Sequence, residues 1–295
     1  MKIIQFLHPG AEHSCNSGSA WNEGNHKRKY IEILGHYLQN LESEPKESKP
    51  LYFWGEWEAQ SNCREIQNPV VNGPNYIFNP YYQLPLPINA ANTDPFIFGD
   101  QFYYCICKQA HYTCLRDLEP GDVLLFGSCK NRQFVLDTVF VVKNKRQYKF
   151  SRLSQLRNDF NKTFSEISLL PLEQLVSIEQ KKIIEHDNIC IPLESDDESD
   201  YCTSNSEDTY FIYEAVMYRD RNDFQGMFSY APCLTNEEEG RNGFARPVID
   251  IPEIISPTLN QGLMKTDVED STYFWECVTK KVLDLNLALM TENQI

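Results

Sequence analysis

Two glutamates separated by one residue, Glu56 and Glu58, end an aromatic stretch and are suited to acid–base chemistry. Residues two apart on a strand share a face, so we expect the pair to act together. Paired carboxylates can divide acid and base roles or hold a metal ion. His13 and His26 precede them in a polar loop. We predict that these four residues are catalytic and line one concavity; the alternative is a pair of acids on an exposed face.

The segment from Trp21 to Arg28 combines an aromatic ring, amides, an imidazole and two cations. Apolar residues recur with helical spacing from Tyr30 to Leu41, which predicts a helix that begins after Asn25 as its N-cap. The N-terminus of a helix offers unpaired N–H groups and the positive end of the dipole, which suit an anion. We therefore predict that Trp21, Asn22, Lys27 and Arg28 bind a phosphate or a nucleotide. The alternative is a solvated basic turn.

Five further residues are candidate ligand contacts. Trp54 lies on the predicted strand that leads to the glutamates. Asp94 lies in an Asn-Thr-Asp-Pro turn, where its carboxylate could also bond its own backbone. Lys108 and Gln109 follow a predicted strand and could read a base edge or a carboxylate, or simply end the strand. Asp137 stands among valines, where a lone acid is costly unless it is paired, so we expect a pocket or a buried network.

Elements with readable periodicity must position these residues. Strands at 2–8 and 51–58 flank the predicted helix, which gives a strand–helix–strand crossover unit. The carboxyl ends of two such strands lie together, and ligands collect at that edge of an open sheet. We predict an α+β fold with a mixed or barrel-like sheet and C-terminal helices. The predicted parts are a core carrying the site (1–150), a helical segment with an acidic loop (151–209), and strands with a closing helix packed on the core (210–295).

One stretch of the chain resembles a known family. Glu119-Pro-Gly-Asp122 is a turn that leads into an apolar strand, and Phe134 to Val142 forms a second. This stretch resembles the barrel strands of PUA-like domains of the ASCH and EVE type. The phrases His-Pro-Gly, Trp-Asn-x-Gly-x-His-Lys-Arg-Lys and Gly-Glu-Trp-Glu are also similar to bacterial and phage nucleotide-modification-associated domains. The resemblance implies a small barrel that holds a nucleobase, often a modified or flipped one.

Charge and composition limit the classes of function. The net charge is −15, with 42 acids against 27 bases, which argues against general duplex binding because phosphate is repelled. Seven of the acids lie in the segment 194–208, which we interpret as a solvated loop. No apolar run is long enough for a membrane helix, and no secretory signal is apparent, so we predict a cytoplasmic protein.

The ten cysteines include no CxxC pair, and we expect reduced thiols in a reducing compartment. Cys105, Cys107, His111 and Cys114 form a dense cluster, yet we predict that its cysteines bind no metal. The cofactor is unknown from the sequence, and we assign no residue as a metal ligand.

We expect recognition or processing of a nucleobase or nucleotide, free or on a single strand, in phage defence or DNA modification. The alternatives are a hydrolase or transferase acting on another small anion, and an interaction protein that uses its acidic loop.

Overall fold

The computed structural model describes residues 1–15, 21, 26–87, 90–175, 209–259 and 261–295. Asn22 and the acidic segment 194–208 lie outside the described residues, as does the part of the predicted helical region beyond residue 175. The predictions made for those residues therefore stay predictions.

Twelve β-strands occur among the described residues. The strands are β1 Lys2–Leu7, β2 Lys29–Leu38, β3 Lys46–Gly55, β4 Ser61–Glu65, β5 Tyr76–Pro80, β6 Tyr103–Tyr104, β7 Val123–Lys130, β8 Gln133–Tyr148, β9 Tyr210–Ala215, β10 Ala231–Leu234, β11 Gly262–Asp267 and β12 Ala288–Gln294.

The strands belong to two sheets. One has the order β11-β1-β7-β8-β9-β6, and the other has the order β12-β10-β3-β2-β5-β4. In the second sheet β12 also pairs with β2, so β2, β3, β10 and β12 close into a four-stranded antiparallel barrel. Both sheets combine strands from before residue 150 with strands from after residue 209. The α+β class with a barrel-like sheet is confirmed.

The predicted helix at 25–41 is wrong: Lys29–Leu38 is strand β2. Ile31, Ile33 and Tyr37 pack on the main core, whereas Tyr30 packs on a second cluster with Tyr52. A strand that is buried on both faces places apolar residues at helical spacing as well as at strand spacing, so the periodicity was ambiguous. The β-branched and aromatic side chains favour the strand.

The predicted N-terminal crossover unit is also wrong. Strand β1 pairs with β11 and β7, whereas β2 and β3 form an antiparallel pair in the other sheet. The predicted second strand ends at Gly55, so Glu56 and Glu58 lie in the segment that follows β3. The site is therefore positioned by two sheets rather than by one sheet edge.

In the described part of the chain most helices are short, apart from one near the C-terminus. Two α-helices are labelled α1 Glu237–Asn242 and α2 Ser271–Asp284. Shorter helical segments are Thr113–Leu115, Phe150–Arg152, Leu153–Leu156, Arg157–Asp159, Lys162–Phe164, the π-helical Ser165–Leu169 and Tyr218–Phe224. Helix α2 confirms the predicted closing helix, but it ends at Asp284 and the chain then forms β12.

The described part of the chain contains no helix that is long and apolar enough to cross a membrane. A disulfide joins Cys15 to Cys63, so the expectation that the cysteines are reduced is wrong for this pair. The two residues are 48 positions apart, and strand β4 brings Cys63 beside the loop that follows β1. Sequence spacing alone could not reveal that proximity.

Candidate functional site

The pairing of β2 with β3 brings Arg28 and Glu56 together. Lys29, the first residue of β2, lies opposite Gly55, the last residue of β3, in the antiparallel register. Arg28, just before β2, and Glu56, just after β3, therefore leave the sheet side by side. The Arg28 Nη2 donates to Glu56 Oε2 at 2.7 Å, and both side chains are 2% exposed. The charge on each is therefore neutralised by a partner inside the protein.

His26 lies between the two glutamates. Its Nδ1 is 3.3 Å from Glu56 Oε1 and 3.9 Å from Glu58 Oε1. The side chain of His26 is 22% exposed, whereas that of Glu58 is fully buried. The Glu58 backbone N–H donates to Thr93 Oγ1 at 2.9 Å, and this bond fixes the backbone at Glu58. His26 thus connects buried carboxylates to the protein surface.

The electrostatics of the cluster favour an ionised carboxylate beside an imidazolium. Burial alone would raise the pKa of Glu56, but the Arg28 and His26 charges hold that pKa well below its usual range. Burial alone would lower the pKa of His26, but the hydrogen bond to Glu56 and the charge of Glu58 raise it to about 9. His26 is therefore protonated at neutral pH.

Three basic side chains surround the two glutamates. Lys29 is buried, and its Nζ donates to the Trp57 carbonyl oxygen. Burial lowers the pKa of Lys29, and the charge of Glu58 partly offsets that effect. Arg28 and His26 contact Glu56 directly. Of the three, only His26 is partly exposed, so it is the basic group that an anion at the surface can reach.

His8 reaches the same cluster from the other sheet, and the sequence reasoning did not include it in the site. It follows β1, and its Nδ1 lies 3.8 Å from Glu56 Oε2. Its ring packs against Phe6 and Phe126. Burial and the Arg28 charge lower the pKa of His8 well below its usual value. Its position at the carboxyl end of a strand that pairs in parallel with β7 is the signal that could have found it.

Asp94 lies beside the cluster but is bonded almost entirely to the backbone. Its Oδ1 accepts from the Cys105 N–H at 2.9 Å, and its Oδ2 accepts from Ile106 at 2.8 Å and Cys107 at 2.6 Å. Burial raises its pKa to about 6 against these bonds, which lower it. Its own N–H donates to Glu56 Oε1 at 3.2 Å. Asp94 therefore organises the segment that follows β6.

Asp137 is the extra residue of a bulge between β7 and β8. Phe126 faces Thr138 and the next residue, Gly127, faces Leu136, so Asp137 has no opposite partner in the ladder. Bulges re-aim a side chain, and this one points Asp137 to a site 3.6 Å from Arg246 Nη1. The carboxylate is buried, and its pKa is raised by that burial.

Arg246 was missed by the sequence reasoning because it lies in an irregular segment with no recognisable motif. Its guanidinium donates to Ser128 Oγ at 2.8 Å and to the Gly10 carbonyl oxygen at 2.6 Å. It also lies over the Trp54 ring, 5.1 Å from the ring centre. Asp137 and Arg246 thus form the buried network that was one of the two expectations for Asp137.

The predicted anion loop differs from its expected form. Strand β2 replaces the helix, so no helix dipole acts at Arg28, and Arg28 is buried against Glu56 rather than available as a surface cation. Trp21 is buried, with its Nε1 3.5 Å from the Gln83 carbonyl oxygen. Lys27 is half-buried. His13 is half-buried, and its N–H donates to the Arg28 carbonyl oxygen at 2.9 Å.

The remaining candidates divide between structural roles and proximity to the cluster. The Trp54 Nε1 donates to the Phe244 carbonyl oxygen at 2.9 Å, in an apolar cluster on the opposite face of the barrel strand. The Gln109 amide exchanges hydrogen bonds with both backbone groups of Phe211, at 2.7 and 3.0 Å, and so ties its turn to β9. Lys108 is buried, and its charge contributes to the low pKa of His8.

One group of possible metal ligands occurs among the described residues. His26, Glu56 and Glu58 each offer one ligand atom, and these atoms lie within 4.8 Å of one another. Arg28 and His26 already contact Glu56, and Lys29 lies beside them, so a bound dication would be repelled by these basic groups. We therefore do not assign these residues as metal ligands. Cys105 is buried at the end of β6, and its pKa is raised by burial.

Comparison with protein-family models, curated proteins and solved structures finds nothing that matches the chain. The resemblance to PUA-like domains stays a prediction, and the functional argument rests on the geometry of the cluster.

Proposed function

We propose that the chain is an enzyme that binds a nucleotide or nucleobase at the cluster of His26, Glu56 and Glu58 and processes it by acid–base catalysis. The observation that carries the proposal is the position of His26 between two buried carboxylates, with part of its ring exposed. A group in that position can exchange protons with a ligand at the surface while the carboxylates remain in the interior.

The charge of the cluster supports an anionic substrate. Protonated His26 is the positive group of the cluster whose ring is partly exposed, so an anion at the surface can reach it. A phosphate beside His26 would form a charge-assisted hydrogen bond with the imidazolium. Half-buried Lys27 is adjacent in sequence and is available to contribute a second contact. The overall charge of −15 makes this local positive site selective for small ligands over duplexes.

The partly exposed His26 and the two buried glutamates have different roles in the proposed reaction. His26 is protonated at neutral pH and acts as the general acid towards a leaving group. The attacking water then returns a proton to His26, and the Glu58 carboxylate stabilises the reprotonated ring because its Oε1 lies 3.9 Å from the ring nitrogen. Glu56 holds the orientation of His26 and is itself fixed by Arg28. A proton donor and a proton acceptor in one site are what hydrolysis or group transfer at a base or phosphate requires.

The PUA-like assignment and the cytoplasmic location belong to the same proposal. The segment that resembles PUA-like domains forms β7 and β8 of the first sheet, and β7 pairs with β1, the strand that leads to His8. The four-stranded barrel belongs to the other sheet, and its strands β2 and β3 lead to Arg28 and Glu56. A buried polar cluster that both sheets border suits a base whose edge is read by carboxylates and amides.

A turnover screen tests this function. The full chain is incubated with nucleobases, nucleosides and nucleoside mono-, di- and triphosphates, and products are detected by mass spectrometry. We expect one class to be converted by the wild type and at least about a hundredfold more slowly by Glu58→Gln, given the usual size of acid–base contributions. Glu292→Gln is the matched control, since Glu292 pairs with the more exposed His36. Equal rates for wild type and Glu58→Gln would contradict the proposal.

A further inference from the structure

Cys107 lies against the second histidine of the cluster. Its Sγ is 3.5 Å from His8 Nε2, and the residue is partly exposed. The backbone of Cys107 is fixed on both sides: its N–H donates to Asp94, and its carbonyl oxygen accepts from the Tyr104 hydroxyl at 2.6 Å. The thiol is therefore held in one place beside an imidazole.

The backbone turns sharply directly after this cysteine. Lys108 is buried and has a φ of 60°, in the left-handed region that a residue with a side chain seldom occupies. Conformations of this kind persist where the surrounding structure enforces them, and they concentrate at functional sites. The strained residue thus directly follows a cysteine that is partly exposed and whose Sγ contacts His8.

The two ring nitrogens of His8 face different groups. Nε2 faces the Cys107 thiol, and Nδ1 faces Glu56 Oε2 at 3.8 Å. Nδ1 is buried and makes no hydrogen bond to any residue that the structure describes. A proton on Nδ1 is attracted by the Glu56 carboxylate, which leaves the Nε2 lone pair directed at the thiol. This is the order of nucleophile, base and orienting acid that activates a thiol.

The charges around the pair keep His8 in the form that a base needs. Glu56, Arg28, His26 and Lys108 face the imidazole, and burial with the three cations lowers the pKa of His8. His8 is therefore neutral at neutral pH and able to accept a proton. Asp94 lies on the backbone side of Cys107 and accepts from its N–H, so it fixes the backbone beside the thiol.

We propose that Cys107 is a catalytic nucleophile, with His8 as its general base and Glu56 as the residue that positions His8. The Sγ forms a bond to an electrophilic carbon of the substrate while the thiol proton passes to His8 Nε2. The leaving group departs with its electron pair and takes that proton. Water then attacks the same carbon, the carbon–sulfur bond breaks, and the thiol regains a proton. The substrate class rests on the proposed function, whereas the reactivity of the thiol does not.

Alkylation of the native full chain tests the nucleophile without any nucleotide. Iodoacetamide is added at neutral pH, and the rate at each cysteine is followed by peptide mapping. Cys129 and Cys277 are partly buried references, with contacts to the Pro257 carbonyl oxygen and the Tyr273 hydroxyl. We expect Cys107 to react at least about tenfold faster than both, since a positioned base contributes about a hundredfold or more to proton transfer.

The variant His8→Gln distinguishes the effect of the imidazole on the reactivity of Cys107 from the effect of solvent exposure. Glutamine keeps a polar side chain of similar reach but is not a base, so the rate at Cys107 should fall to that of the references while Cys129 and Cys277 are unchanged. Thermal melting confirms that the variant is folded. Equal rates for the three cysteines in the wild type would overturn the proposal, and this comparison needs no variant. A fast Cys107 in folded His8→Gln would overturn it as well. Failure of nucleotide turnover would affect neither result.

Discussion

Asp94 and Glu56 are two buried acidic residues, and the backbone N–H of Asp94 donates to the Glu56 carboxylate. The surroundings of their carboxylates give them opposite roles. Asp94 is surrounded by backbone N–H groups of residues 105–107, and burial still raises its pKa to about 6. Glu56 is bonded to Arg28 and His26, which hold its pKa far below the usual range. Backbone dipoles fix a carboxylate in place, whereas side-chain cations keep it charged and couple it to a group that can titrate.

The difference indicates which region is structural and which is functional. Asp94 accepts hydrogen bonds from three consecutive backbone N–H groups, so it stabilises one conformation of the chain. Glu56 contacts His26, which is partly exposed and holds a proton at neutral pH. Only the second arrangement can pass a proton to a ligand. The predictions below test this division.

The largest effect on stability is expected from Arg28→Met. This change keeps the volume of the side chain but leaves Glu56 buried without its main partner, which costs about 3–5 kcal/mol. The matched control is Arg64→Met, because Arg64 donates to Glu32 at 2.6 Å but is 47% exposed. Loss of such a surface pair costs about 0–1 kcal/mol. Urea unfolding measures both, and equal losses would show that the Arg28 pair is not a buried ion pair.

Asp94→Asn should reduce stability and leave ligand binding intact. The amide replaces one acceptor oxygen with a donor that faces backbone N–H groups, which costs about 1–3 kcal/mol. Because Asp94 does not face the proposed ligand, the affinity for a nucleotide should change by less than about twofold. Urea unfolding and calorimetric titration of the same variant check the two halves. A large loss of affinity in a folded variant would show that Asp94 belongs to the functional site.

The pH dependence of stability should distinguish His26 from Asp94. The folded pKa of His26 is about 9 against an ordinary value of 6.5, so its stabilising contribution is complete below pH 6.5 and is lost as the pH rises through about 9. The pKa of Asp94 is about 6 in the folded protein against an ordinary value of 3.8, so the folded state binds this proton more tightly. The free energy of unfolding should therefore fall as the pH rises from 3.8 to about 6. Unfolding free energies from pH 4 to 10 for wild type, His26→Gln and Asp94→Asn measure both. A His26→Gln difference that does not shrink above pH 7 would contradict the assigned protonation.

The smallest effect is expected from metal chelation. Arg28 and His26 already contact Glu56, and Lys29 lies beside them, so removing divalent ions with EDTA should change neither the melting temperature nor nucleotide affinity. The measurement is a pair of titrations of the same preparation with and without EDTA. A clear loss that zinc or magnesium restores would assign His26, Glu56 and Glu58 as metal ligands after all.

The sequence predicted the residues of the site better than the elements that hold it. Glu56, Glu58 and His26 were chosen for their chemistry, and the structure brings them together. The argument that joined them used a helix that is strand β2. The residues still meet, because an antiparallel pair brings the start of β2 and the end of β3 to the same place as a crossover would.

Other features required long-range contacts that no local pattern encodes. Arg246 meets Asp137 through an irregular segment, and His8 enters from a different sheet. The sequence alone indicated a surface cation at Arg28. A guanidinium is buried only where a specific carboxylate pairs with it, and that pairing with Glu56 is visible only in the fold. The Pro-Gly-Asp turn and the strands that follow it were readable because their apolar runs are local.

The most direct test of the central claim is calorimetric titration of the nucleotide that binds best, against wild type and His26→Gln at pH 7. His36→Gln is the matched control, since His36 also pairs with a carboxylate, Glu292, but lies far along β2 and is 40% exposed. If the His26 imidazolium holds the anion, its loss should weaken binding by at least about tenfold, equivalent to one charge-assisted hydrogen bond. His36→Gln should bind as the wild type does. Equal affinity for all three proteins would contradict the assignment of this cluster as the functional site.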